Sequence, residues 1–360
     1  MDESHGKRLN QRDIAKAAGV HRTTVCLALK NHPSIPLKTR ERIAGLAKQM
    51  GYVPDPMLSA LASYRTRLRP RAFQGSLAWL VNSINDFDWT AFPHYREYHQ
   101  GAMERAKFHG YNLELFDINS PGMTLARLFS ILRARYINGV LLCPQQKAGT
   151  KLACPWEQVS SVTFGYKLST PCLHTVTATH HRNMVRAMRE LKARGYRRIG
   201  FAFSQLHDEG TDRNYLAGYL SEMIGYETGR KPPIPPLLES FRRKTAGIIA
   251  WLRKYKPDAI VTGEYQAFEI LTKAGIRIPE ELGVACPTLP SDRSTKLTGV
   301  LEDSVRIGAI AVDLLVAAIQ QGEKGVPVYP VRHLVEGLWH EGISLRPPVK
   351  TPESPARSSC

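Results

Sequence analysis

A chain of 360 residues, 43% of them hydrophobic, can bury a large core; this excludes a disordered protein and predicts one small unit beside a two-lobed one. The formal charge of +17 is concentrated at the front, where residues 1–72 carry 14 Lys/Arg against 5 Asp/Glu, a density that suits a polyanion partner. No basic stretch leads into an apolar segment near the N-terminus and no run of about 18 apolar residues stands out, so the expected location is cytoplasmic, with no membrane partner.

Between Asn10 and Asn31 the pattern is two short helices broken by Gly19, with small or apolar residues at Ile14, Ala15, Ala18, Val20, Val25 and Ala28. Asn10 is placed to cap the first helix, Ala15 to let the helices touch, Gly19 to take the positive φ of the turn and Val20 to fill the corner. This leaves Arg22, Thr23 and Leu27 on the outer face at the front of the second helix, where a major-groove reader carries its base contacts. A third helix, about Leu37 to Met50, turns Ile43, Leu46, Ala47 and Met50 inward and offers Lys38, Arg40 and Arg42 to phosphates, with Asn10 a further backbone contact. Taken alone, two helices of this kind are equally compatible with a plain αα-hairpin; the third helix and the local charge favour the DNA reader.

The stretch QRDIAKAAGVHRTTVCLALKNHPSIPLKTRERIAGLAKQMGYVPDP resembles the N-terminal signature of the lactose-repressor (LacI/GalR) family nearly position by position. The resemblance implies that residues 55–63 form a hinge helix on operator DNA, with Leu61 as the minor-groove wedge. Pro56 suits a first helical turn, and an apolar wedge exchanges unstacking for a bend. Cys26 stands where the family usually has serine, and Leu27 where many members have a base-reading arginine, so no operator sequence carries over. The arginines between Tyr64 and Arg71 fit either a DNA-contacting extension or a solvated linker.

From Gly75 onward, short apolar runs alternate with amphipathic helical stretches, the mark of parallel βα units. SLAWLVNS, Tyr95 to His109, YNLELFDI, Thr124 to Arg135 and GVLLCP form one set. A second is expected to start near His174, with helices at about His180 to Arg194, Arg213 to Gly225 and Tyr265 to Ala274 and strands RRIGFAFS and DAIVTG. The closing segment again resembles the family, implying a periplasmic-binding-protein-like α/β domain of two lobes with parallel sheets, crossed three times by the chain. The expected organisation is a helix-turn-helix DNA-binding domain over 1–53, hinge helix and linker over 54–74, an effector-binding and dimerisation domain over 75–345, and a disordered tail over 346–360.

A small metabolite, a sugar or sugar derivative by resemblance, would lie between the lobes at the carboxyl ends of the strands. Arg213 falls where the family places an arginine that contacts effectors, against the plainer reading of a surface salt bridge; Asn82, Ser83, Tyr166 and Glu264 end strands and are candidates for the same cleft. Thr179 replaces a common acidic residue, Gly263-Glu264 an Asn-Asp pair, and CPTLP the usual Gly-aromatic-Asp segment, so the family's effector does not carry over either.

The six cysteines (Cys26, Cys143, Cys154, Cys172, Cys286, Cys360) form no CxxC pair and have no zinc-spaced histidines, which predicts reduced, buried thiols and no metal. No HExxH, GxSxG, GxxxxGK[ST] or helix-opening GxGxxG occurs, so neither an enzyme nor a cofactor is expected, and His94, His99, His180 and His181 read as helix-surface residues. The expected function is a DNA-binding transcriptional regulator, a repressor, acting as a homodimer on a near-palindromic double-stranded operator under a small-molecule effector. The rival is a ligand-independent architectural DNA binder whose α/β domain only dimerises.

Overall fold

In the computed structural model, residues 10–29, 35–52, 73–84, 87–224, 234–241, 244–291 and 295–348 are described. Three helices come first: α1 (Gln11–Ala18), α2 (Arg22–Leu29) and α3 (Leu37–Gln49). Asn10 caps α1 reciprocally, its side chain accepting from the Arg12 N–H at 2.8 Å while its own N–H donates to Asp13 at 2.8 Å. Gly19 ends the helix with φ of 63°, in the left-handed region that an L side chain resists. Ile14, Ala15, Ala18, Val25, Ala28, Ile43 and Ala47 form the buried core, with Val20, Leu46 and Met50 packed against it, as the helical spacing requires.

The rest builds two lobes. In chain order the elements are β1 (Gly75–Val81), α4 (Pro93–Phe108), β2 (Tyr111–Asp117), α5 (Leu125–Ala134), β3 (Gly139–Leu142), β4 (Thr150–Lys151), β5 (Ser160–Phe164), β6 (Leu168–Thr170) and β7 (His174–Ala178). They continue with α6 (His180–Ala193), β8 (Ile199–Ala202), α7 (Gln205–Gly210), α8 (Asn214–Met223), α9 (Thr245–Tyr255), β9 (Ala259–Thr262), α10 (Ala267–Lys273), β10 (Gly283–Leu289) and β11 (Thr298–Leu301). Last come α11 (Ser304–Gln321), β12 (Arg332–Val335) and β13 (Leu338–His340). Lobe 1 holds a parallel sheet in the order β12-β7-β5-β3-β1-β2; lobe 2 holds β13-β11-β10-β9-β8. Their strands read as continuous apolar runs because helices cover the faces.

The chain passes between the lobes after β7, after β11 and after β12. The second passage returns α11 to lobe 1, where it packs along α4 and over β3, β5 and β7. Glycine permits that approach: a Cβ on Gly101 would lie 1.8 Å from the Val305 carbonyl oxygen, and one on Gly308 2.0 Å from that of Tyr98. Backbone-to-backbone packing this close leaves no room for any other residue.

Four expectations are corrected. The strand at His174 belongs to lobe 1, paired in parallel with β5, so the second lobe starts only after Ala178. Lobe 2 is not wholly parallel: β13 runs antiparallel to β11 as an edge strand. Arg346 is not free tail, since its N–H donates to the Tyr196 hydroxyl at 2.9 Å and its carbonyl accepts from Arg194 at 3.0 Å. Of the cysteines described, Cys143 and Cys286 are buried, Cys26 and Cys154 are half-buried and Cys172 is exposed. The 18-residue α11 is long and apolar enough to cross a membrane, but Ile307, Ala311, Val312 and Leu315 lie in the lobe 1 core.

Candidate functional site

The three-helix unit presents one polar face. Arg22 and Thr23 are exposed at the first turn of α2, and Leu27 is half-buried one turn further on. His21 precedes the helix: its Nδ1 accepts from the Thr23 N–H at 3.4 Å and shares a hydrogen bond with the Thr23 hydroxyl at 3.0 Å. Thr23 is therefore held by its neighbour while Arg22 stands free to reach outward. On α3, Lys38 is exposed and Arg40 half-buried. Arg42 donates to the Ala18 carbonyl at 3.2 Å, bracing the carboxyl end of α1, so its first role is to lock the helices. Leu61, with the rest of residues 55–63 and the segment 64–71, lies outside the described residues.

In the α/β part, polar side chains converge where the strands of both lobes end. Glu302, just after β11, is 3% exposed and accepts from the Tyr215 hydroxyl at 2.7 Å. His94 at the front of α4 and His180 at the front of α6 stand 3.7 and 3.8 Å from its carboxylate, and His94 shares a hydrogen bond with Ser304 at 3.0 Å. Burial alone would raise the Glu302 carboxyl, but His94, His180 and the hydroxyls of Tyr215 and Thr288 outweigh it and hold the group below the usual carboxylate range. Burial also lowers His180, while the His207 imidazole in α7, desolvated and beside His180, is pushed down to about 3.

The histidines thus depart from the surface role expected of them. His94 and His180 face the junction, and His99 lies between Trp79 and Trp89, with ring centroids 5.1 and 5.2 Å away; His181 alone is exposed. A polar residue in a helix's first turn carries no periodic signal, and only its place directly after a strand or loop end marked it.

All three passages between lobes meet here. The Thr179 N–H donates to the Val335 carbonyl at 3.1 Å, and its hydroxyl lies 3.2 Å from Asn183 and 3.4 Å from Glu336. Thr179, which replaces a common acidic residue, therefore ties the first passage to the third.

The five proposed effector residues fall into separate groups. Tyr166 lies in the junction, its ring 5.5 Å from that of His180 and 4.5 Å beneath the Arg332 guanidinium. Asn82 is buried in a chain of amides: Asn119 donates to it at 2.8 Å and it donates to Gln145 at 2.9 Å, which donates to the Cys143 carbonyl. Ser83 donates its N–H to Asp117 at 3.2 Å. Arg213 is exposed at the amino end of α8 with φ of 54°, and its charge acts on Asp208. Glu264 follows β9 and accepts from the Gln266 N–H at 3.4 Å. Beside it Tyr265 meets His94 edge-on at 6.3 Å.

Lys167, unremarked in the sequence, is a cation beside the junction. It follows β5 by three residues, donates to the Tyr95 hydroxyl at 3.1 Å and has its stem against Gly210 of lobe 2. Burial pulls its ammonium down to about 8.

Comparison with known proteins agrees with this geometry. Residues 11–55 match the family described as bacterial regulatory proteins, lacI family, and residues 188–337 match the periplasmic binding protein-like domain. NTD biosynthesis operon regulator NtdR of Bacillus subtilis (strain 168) is 24% identical over 290 residues, covering 76% of this chain and 80% of its own length. Among solved structures, the transcriptional regulator CelR-cellobiose complex aligns with a TM-score of 0.55 at 22% identity, over 94% of this chain and 100% of that one. The lac repressor dimer bound to operator and the anti-inducer ONPF aligns with the same score at 18% identity and the same coverage. The structural likenesses speak to the fold; the two sequence matches fall on its two parts. Residues 11–55 carry a DNA-binding domain of the lacI type and residues 188–337 a periplasmic binding protein-like domain, the combination of lacI-type transcription regulators.

Proposed function

We propose that the protein represses transcription as a homodimer on a near-palindromic operator, and that a small metabolite between the lobes changes its affinity for DNA. The observation that carries this reading is the outward placement of Arg22 and Thr23 at the front of a helix braced by a closely packed three-helix core. A helix front is what enters a major groove, and a two-fold dimer reads two half-sites. Arg22, Thr23 and Leu27 are assigned to bases, Asn10, Lys38 and Arg40 to the backbone, and Leu61 to the central minor-groove step. Tyr166, Arg213, Glu264, Asn82 and Ser83 are assigned to the effector cleft, with Tyr166 the best placed and Asn82 a support for the wall. The similar lac repressor structure is a dimer bound to operator and an anti-inducer, and the CelR structure is a cellobiose complex, which supports DNA, dimer and carbohydrate-related effector alike.

Two observations favour a second reading, a ligand-independent DNA binder: Asn82 spends its amide within the protein, and Lys167 with Gly210 brings the lobes into contact. A single experiment separates the two. The purified protein is titrated against a labelled symmetric duplex, with and without a panel of sugars, sugar acids, phosphorylated sugars and nucleobases. Two chains per duplex and a change of roughly 5- to 150-fold with one compound support regulation by effector. An affinity indifferent to every compound supports the second reading, and one chain per duplex contradicts the dimer.

A further inference from the structure

Lys167 is a half-buried cation at the lobe junction with no counterion among the described residues. Its Nζ donates to two neutral oxygens, the Tyr95 hydroxyl at 3.1 Å and the Gln146 carbonyl at 3.4 Å, and lies 5.8 Å from the centre of the Tyr95 ring. Among the described residues no carboxylate lies within ion-pair distance of it. Its stem is clamped from the opposite lobe: a Cβ on Gly210 would lie 2.7 Å from Lys167 Cε. With its ammonium lowered to about 8, the side chain is still mostly charged at neutral pH. A charge withdrawn from water without a counterion is costly, and such a group in a cleft marks a candidate functional site.

Among the described residues, nothing in the surroundings serves as that counterion. Glu302, the buried carboxylate of the junction, is engaged with Tyr215 and flanked by His94 and His180. Across from Lys167, His207 adds an imidazole, and Arg332 places a second cation over Tyr166 on the lobe 1 side. Asp212, on the lobe 2 rim, is exposed and acts on Tyr166. Lys167 itself follows the carboxyl end of a central strand, where open α/β sheets take their ligands.

We propose that the effector carries an anionic group, a carboxylate or a phosphate, that pairs with Lys167 between the lobes; this rests on the reading of the cleft as an effector site. The anion meets the Nζ of Lys167 at the edge of its contact with α7 of lobe 2, so its binding depends on how the lobes are set against each other. The neutral part of the molecule meets Tyr166 and Tyr265, the aromatic residues beside His180 and His94.

The test uses the full-length protein and matched pairs: glucuronate and glucose 6-phosphate each against glucose, and adenosine monophosphate against adenosine. Thermal unfolding screens the pairs, and calorimetric titration measures the compounds that shift it. The expected result is that one acid raises the melting temperature while its neutral partner does not. The carboxylate and phosphate arms tell which anion is read. Lys167→Met is expected to weaken that acid at least tenfold and Lys167→Arg to retain it. Without ligand, Lys167→Met is expected to melt higher than the parent, because an unpaired buried charge becomes an apolar chain of similar length. If the Met variant fails to fold by circular dichroism, Lys167→Gln is read for acid affinity in its place.

Neutral partners that stabilise as well as their acids, a panel in which no acid exceeds its partner, or an acid affinity unchanged without the ammonium would each overturn the proposal. A folded Lys167→Met protein that melts lower would do so too. Operator affinity measured on the same samples keeps the two readings apart. An acid that binds through Lys167 without altering operator affinity contradicts regulation but not the anion site, whereas a neutral compound that alters operator affinity does the reverse.

Discussion

Arg22 and Lys38 are both exposed cations on the same small domain, yet the geometry gives them different work. At the front of α2 an arginine fork can take two acceptors of one guanine, so Arg22→Ala is expected to cost about 1–3 kcal/mol at one operator position and to relax specificity there. Lys38, near the start of α3, is assigned to phosphates in the proposed reading, so Lys38→Ala is expected to weaken binding to operator and random duplex alike and to flatten its salt dependence. Anisotropy titrations on both duplexes read the difference, and equal losses from both variants on both duplexes contradict the division. These residues were legible in the sequence because everything that positions them is local: Asn10, Ala15, Gly19 and Val20 lie within a dozen residues of Arg22. The cleft was not. Glu302 meets Tyr215 across 87 positions, Lys167 meets Tyr95 across 72 and His94 meets Ser304 across 210. A histidine that ends in such a junction looks, in one dimension, like any polar residue on a helix.

At the scale of elements, the short α1 depends on its ends. Eight residues make a marginal helix, and the Asn10–Asp13 cap satisfies N–H groups that would otherwise be orphaned. Asn10→Ala is expected to destabilise the DNA-binding domain by about 1 kcal/mol, seen as faster amide exchange in α1 with the α/β lobes unaffected. Uniform exchange across the whole chain would show that the cap does not act locally. The hinge segment, which lies outside the described residues, carries the other prediction at this scale. Leu61→Ala is expected to reduce operator bending more than it reduces nonspecific affinity, because a wedge acts only when seated in the groove. Bend angles from circular permutation assays check this, and an unchanged angle removes Leu61 from the mechanism. Helices and strands were mostly readable from periodicity and apolar runs. The misplacement of the His174 strand came from topology: the run looks the same whichever sheet receives it, and only its pairing with β5 decides.

At the scale of the molecule, three passages between lobes converge on Thr179, Glu302 and Glu336, so a ligand beside them acts on every connection at once. Binding of an anion at Lys167 has a defined dependence on pH. The groups that face this lysine are Tyr95 from α4, Cys143 from the end of β3 and His207 from α7. Burial pushes the tyrosine hydroxyl and the thiol far up and the imidazole down to about 3, so none of the three titrates between pH 7 and 9. Lys167, at about 8, does. Since the protonated form takes the anion, affinity is expected to be level below about pH 8 and to fall by up to tenfold per unit above it. Calorimetry with a bound acid at pH 7 and 9 measures this, and an affinity that rises towards pH 9 contradicts it.

The central claim is that a dimer reads a two-fold DNA site through α2. Selection of bound sequences from a random duplex library tests it most directly. The account predicts enrichment of a near-palindrome whose half-sites are equivalent and whose outer bases lose their preference when Arg22 is replaced by alanine. A library that emerges with no enriched sequence, or with a single unpaired half-site, would contradict it.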